Sequence, residues 1–294
     1  MQLAAFRLSQ PGTGSDSAPG GRPRLRVLGI EVVRILISND DGIHAPGLAV
    51  LEAMARTLTD DIWIVAPEVE RSGASRALTL TEPVRIREVA PRRFACSGTP
   101  TDCVLLGVRT LVEGAAPDLV LSGVNNGQNI AEDVTVSGTV AAAVQGMQMG
   151  IPSIALSQAK GFRAGASIPW QTAAAHGPAV LRALIAARWP DGVVMNVNFP
   201  DCLPGDVTGI EATFQGERDE DVTHVERRLD LRGNHYFWIG YAAKLSRPPE
   251  GSDLRAVYDG RISVTPLQMN LTSAPTRAQL APVLAGLATA ELAP

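Results

Sequence analysis

Short apolar runs separated by helical segments constrain the fold of this chain more than any other feature of its sequence. Each run is long enough for one buried strand. The runs are residues 33–38, 62–66, 119–122, 153–156 and 193–198. Between the first two, Leu51, Met54 and Leu58 share one helical face, and residues 172–187 predict a later helix. Because strands that alternate with helices pair mostly in parallel, we predict an α/β fold with helices on both faces of the sheet.

The pattern changes after Pro200. Residues 235–240 and 261–265 read as strands without helices between them, and residues 276–287 read as a final helix. We therefore predict a core over residues 33–200. Residues 201–294 would form a C-terminal β-rich arm with a terminal helix, which packs on the core or on a partner subunit.

The first 32 residues have a different composition, rich in Pro, Gly and Ser over residues 11–23. Such a composition cannot bury a core, so we predict a disordered leader over residues 1–32. The stretch lacks the long apolar centre of a secretory signal. A natural start near Val33 is a further hypothesis, and the intact mass of the native protein would test it.

Charge and cysteine content narrow the function classes. The net charge of −4 gives no basic footprint for a nucleic-acid polymer. The three cysteines are odd in number and form no C-x-x-C motif, which argues against a disulfide framework and favours the reducing cytoplasm. The most apolar stretch, residues 141–156, is broken by polar residues, so we predict no membrane span.

Two adjacent acids, Asp40 and Asp41, directly follow the first predicted strand. Ligands bind beyond the carboxyl ends of strands in open α/β sheets. Two like charges in one crevice repel each other, so the pair favours a bound cation or a raised pKa, and oxygen ligands favour Mg²⁺ or Mn²⁺. The alternative is that Asn39–Gly42 makes a strand-to-helix turn, since Asn, Asp and Gly favour turns. The position after the first strand favours the functional interpretation.

The loops after the second and third strands can converge on the same crevice, and they hold Arg71, Ser72, Gly73 and Ser75 in the first loop and residues 122–129 in the second. Residues 125–129, with three Asn and one Gly, can serve equally as a structural loop or as a binding loop. Residues 137–139 and 98–101 are helix starts with backbone N–H groups that can bind an anion, but every capped helix has such groups. The four histidines are scattered, and among them His44 could reach a substrate. Cys103 is predicted to be a small core residue rather than a nucleophile.

The order of these motifs resembles the SurE survival-protein family. The matching segments, in chain order, are Ser38-Asn39-Asp40-Asp41-Gly42, Ala45-Pro46-Gly47, Val65-Ala66-Pro67, Arg71-Ser72-Gly73-Ala74-Ser75, residues 98–103, residues 122–129, Ser137-Gly138-Thr139-Val140-Ala141-Ala142 and residues 262–267. The resemblance covers about residues 33 to 272. It implies a Rossmann-like core and a 5′/3′-nucleotidase that acts on nucleoside monophosphates, and in some members on short polyphosphate.

The resemblance also implies a set of site residues. One divalent metal ion per subunit, Mg²⁺ or Mn²⁺, would be held by Asp40, Asp41, Ser72 and Asn125, and the two aspartates would be catalytic. Family members form homodimers or homotetramers, often by exchanging a C-terminal arm. Contacts to the substrate or its phosphate are expected from Asn39, Gly73, Thr99, Asn129, Ser137, Gly138 and Thr139.

Two departures from the family pattern stand out. The family usually has Tyr before the Ser-Gly-Thr turn, where this chain has Val136, so an aromatic contact there is in doubt. The leader before Val33 has no counterpart in the pattern.

The sequence leaves the mechanism and two rival functions open. Either a water attacks the phosphorus, oriented by Asp40 or Asp41, or one of these aspartates attacks and forms an aspartyl phosphate. A non-catalytic nucleotide sensor could use the same crevice. A nicotinamide-dependent oxidoreductase is disfavoured, because no G-x-G-x-x-G follows the first strand.

Overall fold

The computed structural model describes residues 26–27, 30–31, 34–162, 167–219, 222–241 and 245–287. Within them, nine strands form one sheet and two antiparallel pairs stand apart from it. The strands are β1 (Arg26–Val27), β2 (Ile30–Glu31), β3 (Ile35–Ser38), β4 (Ile62–Pro67), β5 (Ile86–Ala90), β6 (Arg93–Cys96), β7 (Leu119–Asn126), β8 (Ser153–Gln158), β9 (Val193–Phe199), β10 (Gly209–Ala212), β11 (Thr223–Leu229), β12 (His235–Tyr241) and β13 (Arg261–Gln268).

Six helices accompany the strands: α1 (Pro46–Arg56), α2 (Pro100–Leu106), α3 (Gly138–Gln148), α4 (Trp170–Ala187), α5 (Asp253–Tyr258) and α6 (Ala274–Leu287). The predicted start of α2 is confirmed. Thr99 caps the helix, Pro100 occupies the first turn, and the Asp102 carboxylate accepts a hydrogen bond from the Thr99 backbone N–H. Ser137 caps α3 by accepting a hydrogen bond from the Val140 N–H.

The sheet has the order β10-β13-β9-β8-β7-β3-β4-β6-β5. Its six central strands, from β9 to β6, are all parallel. After β3, the chain forms β4 and β6 on one side of β3. Helix α2 then connects β6 to β7, which lies on the other side of β3. The direction of winding therefore reverses between β3 and β7, which is where ligands bind in doubly wound sheets. The predicted Rossmann-like α/β class is confirmed.

The core is mainly aliphatic. Strands β3, β4 and β8 are buried along their whole length, as expected for parallel strands covered on both faces. Leu51, Met54 and Leu58 of the α1 region are buried against the sheet, as their spacing predicted. Cys103 is buried in α2 as a core residue, and Cys96, Cys103 and Cys202 form no disulfide in the described residues.

The structure differs from the predicted elements at β7 and at α5. β7 continues past Ser122 to Asn126, because Asn125 and Asn126 pair with Ser157 and Gln158 of β8 after a shift in register. These two asparagines therefore lie at the end of a strand rather than in a free loop. The six-residue helix α5, between β12 and β13, was not predicted, since it is too short for a helical repeat.

The part beyond residue 200 divides into two kinds of structure. β10 and β13 join the central sheet, where β13 pairs with β9 in antiparallel register. The predicted division near residue 200 therefore does not coincide with an edge of this sheet. β11 and β12 instead form a separate antiparallel hairpin with exposed side chains on both strands.

The predicted leader lies largely outside the described residues. Within it, β1 and β2 pair with each other. None of the helices in the described ranges combines the length and apolar character needed to cross a bilayer.

Candidate active site at the carboxyl ends of β3 and β7

The crevice begins where β3 and β7 end side by side. Ser38 of β3 is paired in register with Ser122 of β7, so the residues that follow them emerge at the same edge of the sheet. After β3, Asn39 closes a tight turn through hydrogen bonds with both backbone groups of Gly42, whose φ is 105°. The turn interpretation is therefore correct for Asn39 and Gly42, which hold the two intervening acids in place.

Asp40 is the buried member of the acid pair, with 4% of its surface exposed. Its Oδ1 accepts a hydrogen bond from the Thr139 hydroxyl in the first turn of α3. Its backbone oxygen accepts one from the Arg71 N–H at 2.8 Å. Burial raises the pKa of Asp40 to about 6, with a further contribution from the charge of Asp41, while the Thr139 bond opposes the rise.

Asp41 points toward the end of β7. Its Oδ2 accepts a hydrogen bond from the Asn126 N–H at 3.0 Å. Burial raises the pKa of this carboxyl, and the charge of Glu70 adds to the increase. The Asn126 bond and the charge of Lys160 oppose it. The loop after β3 thus meets the end of β7 at Asp41.

The loop after β4 brings Ser72 to this edge and adds a third acid. The Ser72 hydroxyl donates to Glu70 Oε1 at 2.8 Å. Ser75 then ties the loop to the segment before α3, since its N–H donates to Val136 O at 3.1 Å and its hydroxyl to Thr135 O at 2.9 Å. Gly73 lies at the exposed tip with a φ of 74°.

Asn125 completes the predicted ligand set. Its Nδ2 donates to Gly127 O at 2.8 Å, which directs the amide nitrogen toward its own turn and the amide oxygen away from that contact. The crevice thus offers two kinds of oxygen ligand. Burial and mutual repulsion destabilise its charged carboxylates, and its serine and asparagine side chains supply neutral oxygens. This donor chemistry fits a hard divalent cation. In the described part of the chain, no three His, Cys, Asp or Glu side chains form a metal cluster, so a cation here would need the serine and asparagine oxygens.

The start of α3 forms the other wall. A Cβ placed on Gly138 would lie 2.7 Å from Asp40 Cβ, so only glycine allows the helix to approach the acid this closely. The first backbone N–H groups of a helix have no partner within the helix and attract anions. The arrangement sets such groups of α3 directly beside the acid pair.

Other predicted contact residues have structural partners. The Thr99 hydroxyl accepts from the Asp102 N–H at 3.1 Å and donates to Ala77 O at 2.7 Å. The Asn129 side chain is buried and donates to the Ser157 hydroxyl at 2.8 Å. His44 is exposed at the start of the α1 region. Their roles toward a substrate stay predictions.

Sequence reasoning missed the residues that hold the loop before α3. Asp253 of α5 accepts hydrogen bonds from the Ala131 N–H at 2.9 Å and the Gly216 N–H at 2.8 Å. Arg218 pairs with Glu132 at 2.7 Å and Asp133 at 2.5 Å. Because these partners are distant in the chain, no local sequence motif predicts their contacts. Lys160 was missed for the same reason, since its partner Asn126 lies 34 residues away. Glu70 was also missed as a site residue, although its partner Ser72 is close in sequence.

Comparison with known proteins agrees with this architecture. Residues 35–221 match the family model described as survival protein SurE. The chain is 55% identical to a 5′-nucleotidase SurE of Parvibaculum lavamentivorans over 88% of this chain and 94% of the relative. It is 60% identical to a 5′-nucleotidase SurE of Hyphomonas neptunium over 83% of this chain and 96% of the relative.

A solved structure gives the same result. The crystal structure of the SurE protein from Aquifex aeolicus is 34% identical and superposes with a TM-score of 0.73, covering 87% of this chain and 99% of that one. The matched family model, the similar relatives and the shared fold together establish that the chain belongs to the survival protein SurE family.

Proposed function

We propose that this chain is a phosphomonoesterase that hydrolyses nucleoside 5′-monophosphates to nucleosides and phosphate. The observation that carries the proposal is the contact between Asp40 and the first turn of α3, which sets an acid pair against an anion-binding helix start. The names of the relatives, 5′-nucleotidase SurE, support the substrate class. We extend the proposal to 3′-monophosphates and short polyphosphate, because the contacts proposed here are all to a phosphoryl group and none is to the nucleoside.

A divalent metal, Mg²⁺ or Mn²⁺, is part of the proposal. Asp40, Asp41, Ser72 and Asn125 would hold it. When bound, it would neutralise charge on the phosphoryl group during ester cleavage. The raised pKa of Asp40 supports a cation site, because a nearby positive charge would stabilise the carboxylate that burial disfavours.

The chain's own residues supply the remaining chemistry. The N–H groups at Gly138 and Thr139 bind phosphoryl oxygens, and Ser137 fixes the turn that presents them. Thr139 orients Asp40 through its hydroxyl. Asp40 or Asp41 then orients the attacking water or attacks the phosphorus itself. Rapid-quench trapping separates these routes, since a phosphorylated aspartate would exclude direct attack by water.

The decisive experiment measures phosphate release from AMP, GMP, 3′-AMP and tripolyphosphate. Each substrate is tested with Mg²⁺, with Mn²⁺ and with excess EDTA, beside an Asp40→Ala variant. We expect metal-dependent release that the variant loses. A folded protein that binds AMP without releasing phosphate under any of these conditions would instead be a nucleotide sensor.

We also propose that the protein is a homodimer or homotetramer, with the β11–β12 hairpin as an interface. Val225, Phe237 and Ile239 lie on one face of this hairpin, and all three are more than half exposed. Exposed apolar surface of this kind is typical of interaction sites. Arg227 lies on the same face, opposite Phe237, and its guanidinium donates to His235 Nδ1 at 3.0 Å. We propose a second copy of the same apolar surface as the partner.

A further inference from the structure

Lys160 lies at the edge of the crevice and has no role in the proposed chemistry so far. Of the 26 lysine and arginine residues in the chain, two are lysines, Lys160 and Lys244. Lys160 follows β8 by two residues, so it emerges at the carboxyl edge of the sheet beside the end of β7. The side chain is exposed.

Hydrogen bonds hold Lys160 next to the acid pair. Its Nζ donates to Asn126 Oδ1 at 2.7 Å, and its backbone N–H donates to Gln128 Oε1 at 3.2 Å. Asn126 in turn donates its backbone N–H to Asp41 at 3.0 Å. One residue therefore bridges the ammonium group and the acid.

The aliphatic stem of Lys160 packs against the turn at Gly127, which lies between Asn126 and Gln128. A Cβ built on Gly127, whose φ is 132°, would lie 3.5 Å from Lys160 Cε. The aliphatic stem thus lies over the glycine. This fixes the direction of a side chain that would otherwise sample many rotamers.

The surroundings of the ammonium group favour an anionic ligand. Among the described residues, no carboxylate oxygen pairs with Lys160 Nζ within 4.0 Å, and the group donates instead to the neutral amide oxygen of Asn126. An ammonium group has three N–H donors, so two stay available after the bond to Asn126. A lysine in this setting is a point charge suited to phosphate.

We propose that Lys160 is a substrate-binding residue that donates a hydrogen bond to an anionic oxygen of the phosphate monoester, with Asn126 holding its ammonium group beside the acid pair. The inference rests on the proposed phosphomonoesterase function and extends it to a residue outside the matched motifs. The competing explanation is purely structural: Lys160 would fasten the 126–128 turn to the end of β8.

Kinetics of three variants separate these explanations. Lys160→Met removes the charge and keeps most of the stem, and Lys160→Arg keeps the charge. Arg56→Met is the matched control, because it removes one exposed positive charge at the end of α1, on the opposite edge of the sheet. KM and kcat for AMP, the inhibition constant of inorganic phosphate and the melting temperature are measured for each variant with saturating Mn²⁺.

We expect Lys160→Met to raise both the KM and the inhibition constant of phosphate roughly tenfold or more, with a smaller fall in kcat, as for loss of a charged hydrogen bond. Lys160→Arg should recover part of this loss, and Arg56→Met should change neither constant. A lower melting temperature and kcat at unchanged KM and phosphate inhibition would overturn the proposal. So would an equal rise of KM in Arg56→Met.

A direct binding measurement keeps the two proposals separate. If the wild-type protein releases no phosphate from AMP, the proposed activity fails, and calorimetric titration with AMP then tests Lys160. Weaker binding by Lys160→Met than by the wild type would support the role of Lys160. Equal affinities, or no binding of AMP to the wild type, would overturn it.

Discussion

The Thr139 hydroxyl donates a hydrogen bond to Asp40 Oδ1 across 99 residues of sequence, so the first turn of α3 controls the protonation of the buried acid. Thr139→Val keeps the shape of the side chain and removes this donor. We expect the pKa of Asp40 to rise above its value of about 6, by roughly one to two units if the lost bond is a charged one.

Carbon-13 NMR titration of the metal-free protein measures this change. Thr139→Ser is the control, because it keeps the hydroxyl and should leave the titration close to that of the wild type. An Asp40 titration that is the same in Thr139→Val and wild type would show that the hydroxyl does not stabilise the carboxylate.

The raised pKa of Asp40 also predicts how stability depends on pH. Between pH 3.8 and about 6 the folded state binds a proton at Asp40 that the unfolded state has released. The contribution of this group to the free energy of unfolding therefore falls as the pH rises through that window, by up to about 3 kcal/mol. Above about pH 6 the loss is complete.

Asp40→Asn removes the titrating carboxyl group, so it tests whether the free energy of unfolding falls as the pH rises. In EDTA, the variant should be more stable than the wild type at pH 7, and the difference should shrink toward pH 4. Urea unfolding at several pH values measures it. Parallel stability curves for the two proteins would contradict the prediction.

Gly138 tests the close approach of α3 to the acid. Gly138→Ala places a methyl group 2.7 Å from Asp40 Cβ, so helix and acid must separate. Because displacement of about 1 Å at a reacting group can cost roughly a hundredfold in rate, we expect kcat with AMP to fall between tenfold and a hundredfold. Gly205→Ala is the matched control, since no atom lies within 4 Å of its added Cβ. Equal rates in both variants would show that the approach is not needed.

The exposed hairpin gives a prediction about assembly. Ile239 is 79% exposed in the single chain, so Ile239→Asp should leave the fold intact while it introduces a charge into the proposed interface. Sedimentation should show a smaller species than the wild type. Glu226→Gln, on the same hairpin, should sediment like the wild type. An unchanged mass for Ile239→Asp would place the interface elsewhere.

Local sequence patterns predicted the framework well. Buried parallel strands are continuous apolar runs, so β3, β4 and β8 are readable from sequence, and the cap at Thr99 follows from its neighbours. The extension of β7 to Asn126 could not be read, because Asn and Gly favour turns and the strand forms by pairing with β8. Tertiary pairing here overrides local preference.

The site was readable only in part for the same reason. Asp40 and Asp41 are adjacent and polar at the end of an apolar run, which marks them in the sequence. No local pattern identifies Lys160 or Asp253 as a site residue. Their partners, Asn126 and Ala131, lie 34 and 122 residues away.

The bond between Asp253 and the Ala131 N–H has a consequence for biosynthesis. This hydrogen bond helps to hold the segment that leads into α3. The ribosome adds the acceptor, Asp253, 122 residues after the donor, Ala131. A ribosome-bound chain that stops before α5 can carry the acid pair and every predicted ligand, but it lacks this brace. Activity should thus arise late in translation, after nearly the whole polypeptide has left the ribosome, and truncated products should be inert even where their parallel strands have formed.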